Sequence, residues 1–160
     1  MDSVIIYVRG KRYCFVTVID IVTRFAWCRL VKRSTAVCAL EVLREFMDAY
    51  EYPLRVVQTD NGSEFLAEFD AFFETSHITH QFIFFRRPKV NGTVERFNRT
   101  IQEEFIQKYQ DMIWDQGYFT QKLQHYLVYY NQQRPHLALN CQTPAAVLQH
   151  FLNCPECPRP

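Results

Sequence analysis

The chain is short of several things that would settle its class at once. No apolar run reaches the roughly 18 residues of a transmembrane helix, and the start has neither a basic leader nor a long apolar stretch, so no signal peptide is visible. A cytoplasmic protein with no membrane partner is expected. Charge of one sign is also lacking: Lys and Arg number 18 against 17 Asp and Glu, for a net charge of +1. Tight binding of nucleic acid by phosphate neutralisation usually asks for more, so the balance counts modestly against it for this chain alone. No Ser/His/Asp triad is apparent. There is no second cysteine pair to complete Cys154-Pro-Glu-Cys157 as a zinc site, although His150 stands near enough in sequence to be a further ligand.

What is present fits one globular domain of 160 residues, 48% hydrophobic and rich in Phe (14) and Tyr (9). Residues 1–151 form that domain, and 152–160 read as a disordered, proline-containing tail. Cys14, Cys28 and Cys38 lie in apolar stretches and read as small core residues. A disulfide framework is not expected in a cytosolic protein of this size.

The hydrophobic pattern divides the chain into alternating elements. Asp2–Val8 is extended, Arg9-Gly10-Lys11-Arg12 reads as a hairpin turn, and Tyr13–Ile21 is a nearly continuous apolar, β-branched run expected to be a central strand. Phe25–Val31 is a third strand in an antiparallel meander. Thr35–Tyr50 is a helix with its apolar stripe at Ala36, Leu40, Leu43 and Met47. Leu54–Thr59 is a fourth strand, returning parallel to the first after the helical crossover. Ser63–Ser76 is a helix capped by Ser63, and Thr79–Phe84 is a fifth strand. Phe85–Thr93 is a loop broken by Pro88 and by the turn pair Asn91-Gly92. Helices follow at about Val94–Gln110 and Tyr118–Gln132. Thr143 and Pro144 then open a short helix as N-cap and first residue.

Three carboxylates stand out on this scaffold. Asp60 ends the fourth strand, Glu95 lies in the first turn of the helix after the loop, and Asp2 opens the first strand. A strand end fixes one ligand and a helix aims another, and hard divalent cations take oxygen ligands of this kind. Asp20, at the end of the second strand, is a rival for the third carboxylate. Glu95 could also pair with Arg99, one helical turn on. His136 could contact a nucleic acid or another partner, or bond to nearby backbone. Arg86, Arg87 and Lys89 cluster before Glu95, and Arg96 and Arg99 follow it.

The segments TDNGSEF, NGTVERFNRTIQEEF, YYNQQRPHLAL and TPAAVL, with VIDIVTRFAW near the start, resemble the catalytic core of the DDE integrase/transposase family. They are most like bacterial insertion-sequence transposases and also similar to retroviral integrase cores. The resemblance runs to about Phe151. It implies an α/β, RNase H-like fold: a mixed five-stranded sheet, three antiparallel strands then two more, with helices on both faces.

It further implies a DNA transposase or integrase that cleaves phosphodiesters and transfers strands with two Mg²⁺ or Mn²⁺ ions. Asp2, Asp60 and Glu95 are then catalytic and metal-binding, and Asp20, the acid of VIDIVTRFAW, belongs to the strand end and turn, where it pairs with Arg24 or caps backbone amides. Arg86, Arg87, Lys89, Asn91, Arg96, Asn98 and Arg99 meet DNA, and Asn61 and Asn98 orient ligands or backbone. Element ends and target DNA are the implied partners, in a homodimer or higher multimer, associated with a bacterial nucleoid. Family members carry an N-terminal DNA-binding region before this core. Its lack here suggests an excised piece or a truncated gene product, and a first strand that frays at its key residue. Two other classes compete. One is a catalytically silent binding or oligomerisation module derived from a transposase. The other is an RNase H-type nuclease acting on RNA/DNA hybrids.

Overall fold

The computed structural model describes residues 1–66, 68–82 and 88–154. Strands β1 (Asp2–Val8) and β2 (Lys11–Ile19) form a hairpin, with Asp2 opposite Thr17 and Val8 opposite Lys11. The turn residues Arg9 and Gly10 both have positive φ, 49° and 77°, the backbone shape that a two-residue hairpin turn demands. Strand β3 (Ala26–Val31) pairs antiparallel with β2, so the meander forms as expected. Asp20 closes its second turn: Oδ2 accepts from Val22 N, Thr23 N and Thr23 Oγ1 at 3.2, 2.6 and 2.8 Å. Asp20 is thus a cap for backbone amides.

The central position of β2 follows from its apolar run. Cys14, Val16 and Val18 point to one side and Phe15 to the other, all buried. Helix α1 (Ala36–Tyr50) covers the first side with Leu40, Leu43 and Phe46, its start capped by Thr35 Oγ1, which accepts from Cys38 N. Phe65, Phe69 and Phe73 pack into the same cluster. The second side is covered by helix α3 (Pro88–Ile101) and helix α5 (Gln116–Gln132), through Phe97, Ile101, Phe119, Leu123 and Leu127. Each fully buried Phe or Leu contributes about 1.5–3 kcal/mol by leaving water.

Strand β4 (Val56–Thr59) pairs parallel with β5 (Thr79–Phe82). The five strands are those expected, but they do not form one continuous ladder: β1-β2-β3 and β4-β5 are separate sheets. The Met1 ammonium bridges them by donating to the Gln58 carbonyl at 2.8 Å.

Two expectations change around the carboxylates. The single helix from Ser63 is instead a 3-10 turn, Ser63–Phe65, followed by α2 (Glu68–Ser76). Asp60 Oδ1 takes the Gly62 N–H at 3.1 Å, and Gly62 O takes the Phe65 N–H at 2.9 Å, which tightens the chain before the helix starts. The expected loop 85–93 is already helical from Pro88, where proline suits the first helical position. Gly92 therefore sits inside α3, and Glu95 two turns along it. The helix is carried by the buried stripe Val94, Phe97, Asn98 and Ile101, whose burial outweighs the roughly 1 kcal/mol that an internal glycine costs.

Helix α3 runs on through a π-helical turn, Gln102–Ile106, into the short α4 (Gln107–Tyr109) and a 3-10 turn, Gln110–Met112. Asp115 caps α5 by accepting from Tyr118 N. Thr143 caps α6 (Pro144–Asn153) by accepting from Ala146 N, as expected. Leu152 packs against the α1-side core, so the domain reaches past Phe151. Of the Cys154/Cys157 pair, Cys154 is a half-buried free thiol and Cys157 lies outside the described residues. No helix among the described residues is long and apolar enough to cross a membrane.

Candidate active site

The site is built at the ends of β1 and β4. Asp2 starts β1, and its carboxylate is held from two directions. Oδ1 accepts from Ser3 N at 2.8 Å and Oδ2 accepts from Asn98 Nδ2 at 2.6 Å. Asn98 is in turn fixed by Thr17, the residue opposite Asp2 in the hairpin. The Thr17 hydroxyl lies 2.7 Å from Asn98 Oδ1 and 3.2 Å from the Asp2 carbonyl. It has one proton to give, and the nearer acceptor takes it. Thr17 and Asn98 are both buried, so their hydrogen bonds set the Asn98 amide in one orientation: oxygen toward Thr17, nitrogen toward Asp2.

Asp60 follows β4 and is exposed. It lies close enough to Asp2 for each to feel the other's charge. Burial raises the Asp2 carboxyl above its ordinary range, and Asp60 adds to the rise, while the Ser3 amide and Asn98 oppose it. The Met1 ammonium, desolvated by burial, is lowered to about 6 despite the attraction of both aspartates. Two hard oxygen donors at adjacent strand ends suit a divalent cation.

Glu95 does not complete a cage with them. It is exposed on α3 and lines a shallow depression of about 460 Å³ with Ser3, Asn98, Arg99 and Gln102. Among the described residues, no three His, Cys, Asp or Glu side chains lie close enough together to hold a metal ion. The expected trio is therefore gathered as a pair, with the third on the wall of the neighbouring depression.

The expected DNA-facing residues divide. Arg96 and Arg99 are exposed on α3. Asn98 is buried and committed to Asp2 and Thr17, so its geometry is that of an orienting group and not of a phosphate contact. Arg86, Arg87 and the side chains of Lys89 and Asn91 lie outside the described residues. His136 is buried, with Nε2 3.2 Å from the Tyr130 carbonyl, the backbone-bonded alternative.

Glu64 escaped the sequence reasoning. Ser3 Oγ donates to Glu64 Oε1, placing that carboxylate beside β1. Its signal was the acid inside TDNGSEF, four residues after Asp60.

Comparison with known proteins agrees with this architecture. Residues 1–88 and residues 76–144 each match a family described as integrase core domain. A protein named as an integrase, ORF3 of Spiroplasma virus SpV1-C74, is 28% identical, the match covering 89% of this chain and 42% of that protein. The chain thus spans less than half the length of that relative. The HTLV-2 integrase catalytic core domain, solved in complex with magnesium, superposes with a TM-score of 0.71 at 21% identity, covering 91% of this chain and 93% of that one. A simian T-cell lymphotropic virus intasome chain gives 0.75 at 21% identity, covering 99% and 55%. These structures share the RNase H-like layering of helices on both faces of a mixed set of strands, and with more than half of its residues matched by the family, the chain belongs to the integrase core domain family.

Proposed function

We propose that the chain is the catalytic core of a DNA transposase or integrase, a metal-dependent polynucleotidyl transferase. The observation that carries this reading is the Asp2–Asp60 pair at adjacent strand ends, with Asp2 oriented by Asn98. Asp2 and Asp60 would hold Mg²⁺ or Mn²⁺, with Glu95 as the third carboxylate. When bound, two such ions activate an attacking oxygen and stabilise a leaving one. The protein's own part is positional. Asn98 holds one oxygen of the Asp2 carboxylate, and Ser3 N steadies the other. Arg96 and Arg99, with Arg86, Arg87 and Lys89, would grip phosphates and align the backbone without reading its sequence. Asn91 is assigned to the same surface, and Asn61 to orienting ligands or backbone beside Asp60.

In the reaction, water or a DNA 3′-hydroxyl attacks phosphorus in line. The new O–P bond forms as the P–O3′ bond breaks; the attacking oxygen's proton passes to solvent, and the leaving O3′ takes a proton from solvent. No covalent bond to the protein is needed. Element ends and target DNA are the proposed substrates, a homodimer or larger multimer the proposed assembly, and the bacterial nucleoid the proposed place of action.

Glu95→Gln should abolish Mg²⁺-dependent cleavage of duplex DNA and leave the thermal midpoint unchanged. Retained cleavage would remove Glu95 from the site. One observation favours a second reading, a silent binding or oligomerisation module: among the described residues no three carboxylates are gathered into one metal-holding group. Absence of any metal-dependent nicking by the wild type, with DNA binding retained, would select it.

A further inference from the structure

The two aspartates stand on β1 and at the end of β4, and these strands share no ladder. Backbone register therefore does not fix their separation: one main-chain bond, from Met1 N to the Gln58 carbonyl, ties the strands, and side chains supply the rest. Glu64 is placed to do this. Its Oε1 accepts from Ser3 Oγ, which also lies 3.2 Å from Ser34 Oγ, and Ser3 N holds Asp2 Oδ1 at 2.8 Å. Its other oxygen turns back over Gly62. A methyl group on the Gly62 Cα would lie 2.8 Å from Glu64 Oε2 and 3.0 Å from Asp60 Oδ1. Both carboxylates thus converge on one face of Gly62, and a side chain there would push them aside. The path from Asp2 to Asp60 runs through Ser3, Glu64 and Gly62.

We propose that Glu64 is a positioning residue: by accepting the Ser3 hydroxyl it clamps β1 to the loop after β4 and sets the spacing of Asp2 and Asp60. The proposal rests on those two aspartates being the metal-binding pair. The clamp works by accepting a hydrogen bond, so an amide oxygen in place of the carboxylate serves as well.

The test is Mn²⁺ affinity, read by electron paramagnetic resonance on the full 160-residue chain, with thermal midpoints in parallel. Ser3→Ala and Glu64→Ala should each weaken Mn²⁺ binding about tenfold or more, the usual effect of losing a group that orients a ligand. Glu64→Gln should stay within about threefold of wild type, and the midpoints should move little. Loss in Glu64→Gln equal to that in Glu64→Ala, with Ser3→Ala unaffected, would make Glu64 a ligand and overturn the clamp. Unchanged affinity in all three, with binding lost in Asp60→Asn, would overturn the clamp and leave the metal pair standing. Absence of Mn²⁺ binding by the wild type would overturn both.

Discussion

Asn98 on α3 donates to Asp2 on β1 across 2.6 Å, and its own carbonyl is occupied by Thr17. One buried amide thereby joins the helix that carries Glu95 to the strand that carries Asp2. It also makes Asp2 the better fixed of the two aspartates, because Asp60 is exposed and its Oδ1 accepts from Gly62 within its own loop.

Replacing Asn98 by alanine leaves Thr17 without its nearer acceptor and Asp2 without a donor. The cost of leaving a buried polar partner unmade is about 1–3 kcal/mol. Urea denaturation should show a loss of that size. Asn98→Asp should lose more, since it sets a second carboxylate against Asp2. A stability equal to wild type in Asn98→Asp would show that the amide does not hold Asp2.

Asn131 plays a comparable part at the edge of β3. Its Oδ1 accepts from Ala26 N and its Nδ2 donates to Ala26 O, both at 2.9 Å, so one side chain stands in for a neighbouring strand. Asn131→Leu keeps much of the volume but strands both Ala26 backbone groups. Stability should fall by about 3 kcal/mol, taking roughly 1–3 kcal/mol for each group, and the Ala26 amide should exchange faster with solvent. Normal protection of Ala26 in this variant would contradict the account.

The segment after α5 is pinned by charge. Glu104, in the π-helical turn, accepts from Arg134 Nε and Nη2 at 3.0 and 2.6 Å and from Tyr126 Oη at 2.9 Å. Partial burial pushes the Glu104 carboxyl up, but these bonds and the Arg134 charge outweigh it and hold it below the usual 4.5. Burial, with Arg134 adding, lowers His136 below 6.5 against the opposing Tyr130 carbonyl. Both groups release protons more readily folded than unfolded. Their stabilisation is present above the ordinary values and is lost as pH falls, first below about 6.5 for His136 and then below about 4.5 for Glu104. Thermal midpoints measured between pH 8 and 4 should decline in that order, and Glu104→Gln should flatten the lower part. An unchanged slope in that variant would remove Glu104 from the acid response.

Much of this was legible in the residues because periodicity reports burial. The nearly continuous run Tyr13–Ile21 read as a central strand, which the structure ends at Ile19 and covers on both faces, and Thr143-Pro144 read as the start of a helix. The polar signals were harder. Asn98 read both as a DNA contact, because polarity suggests a surface, and as an orienting group; its spacing from Val94, Phe97 and Ile101 puts it on the buried stripe, which suits the second. Pro88 and Asn91-Gly92 read as loop because local turn preference was weighed without the helix that Phe97 and Ile101 anchor. The gap between β1 and β4 has no signature along the chain, since hydrogen-bond register is a property of two strands together. Glu64 was visible as an acid inside TDNGSEF, but its contact was not, for the same reason: its partner is Ser3, at a separation of 61.

The central claim is that Asp2 and Asp60 form a divalent-cation pair. Calorimetric titration of the wild type and Asp60→Asn with Mg²⁺ and with Mn²⁺ tests it most directly. The account predicts binding by the wild type and none by Asp60→Asn, with the thermal midpoint of the metal-free variant unchanged. Equal binding by both proteins, or none by the wild type, would contradict it.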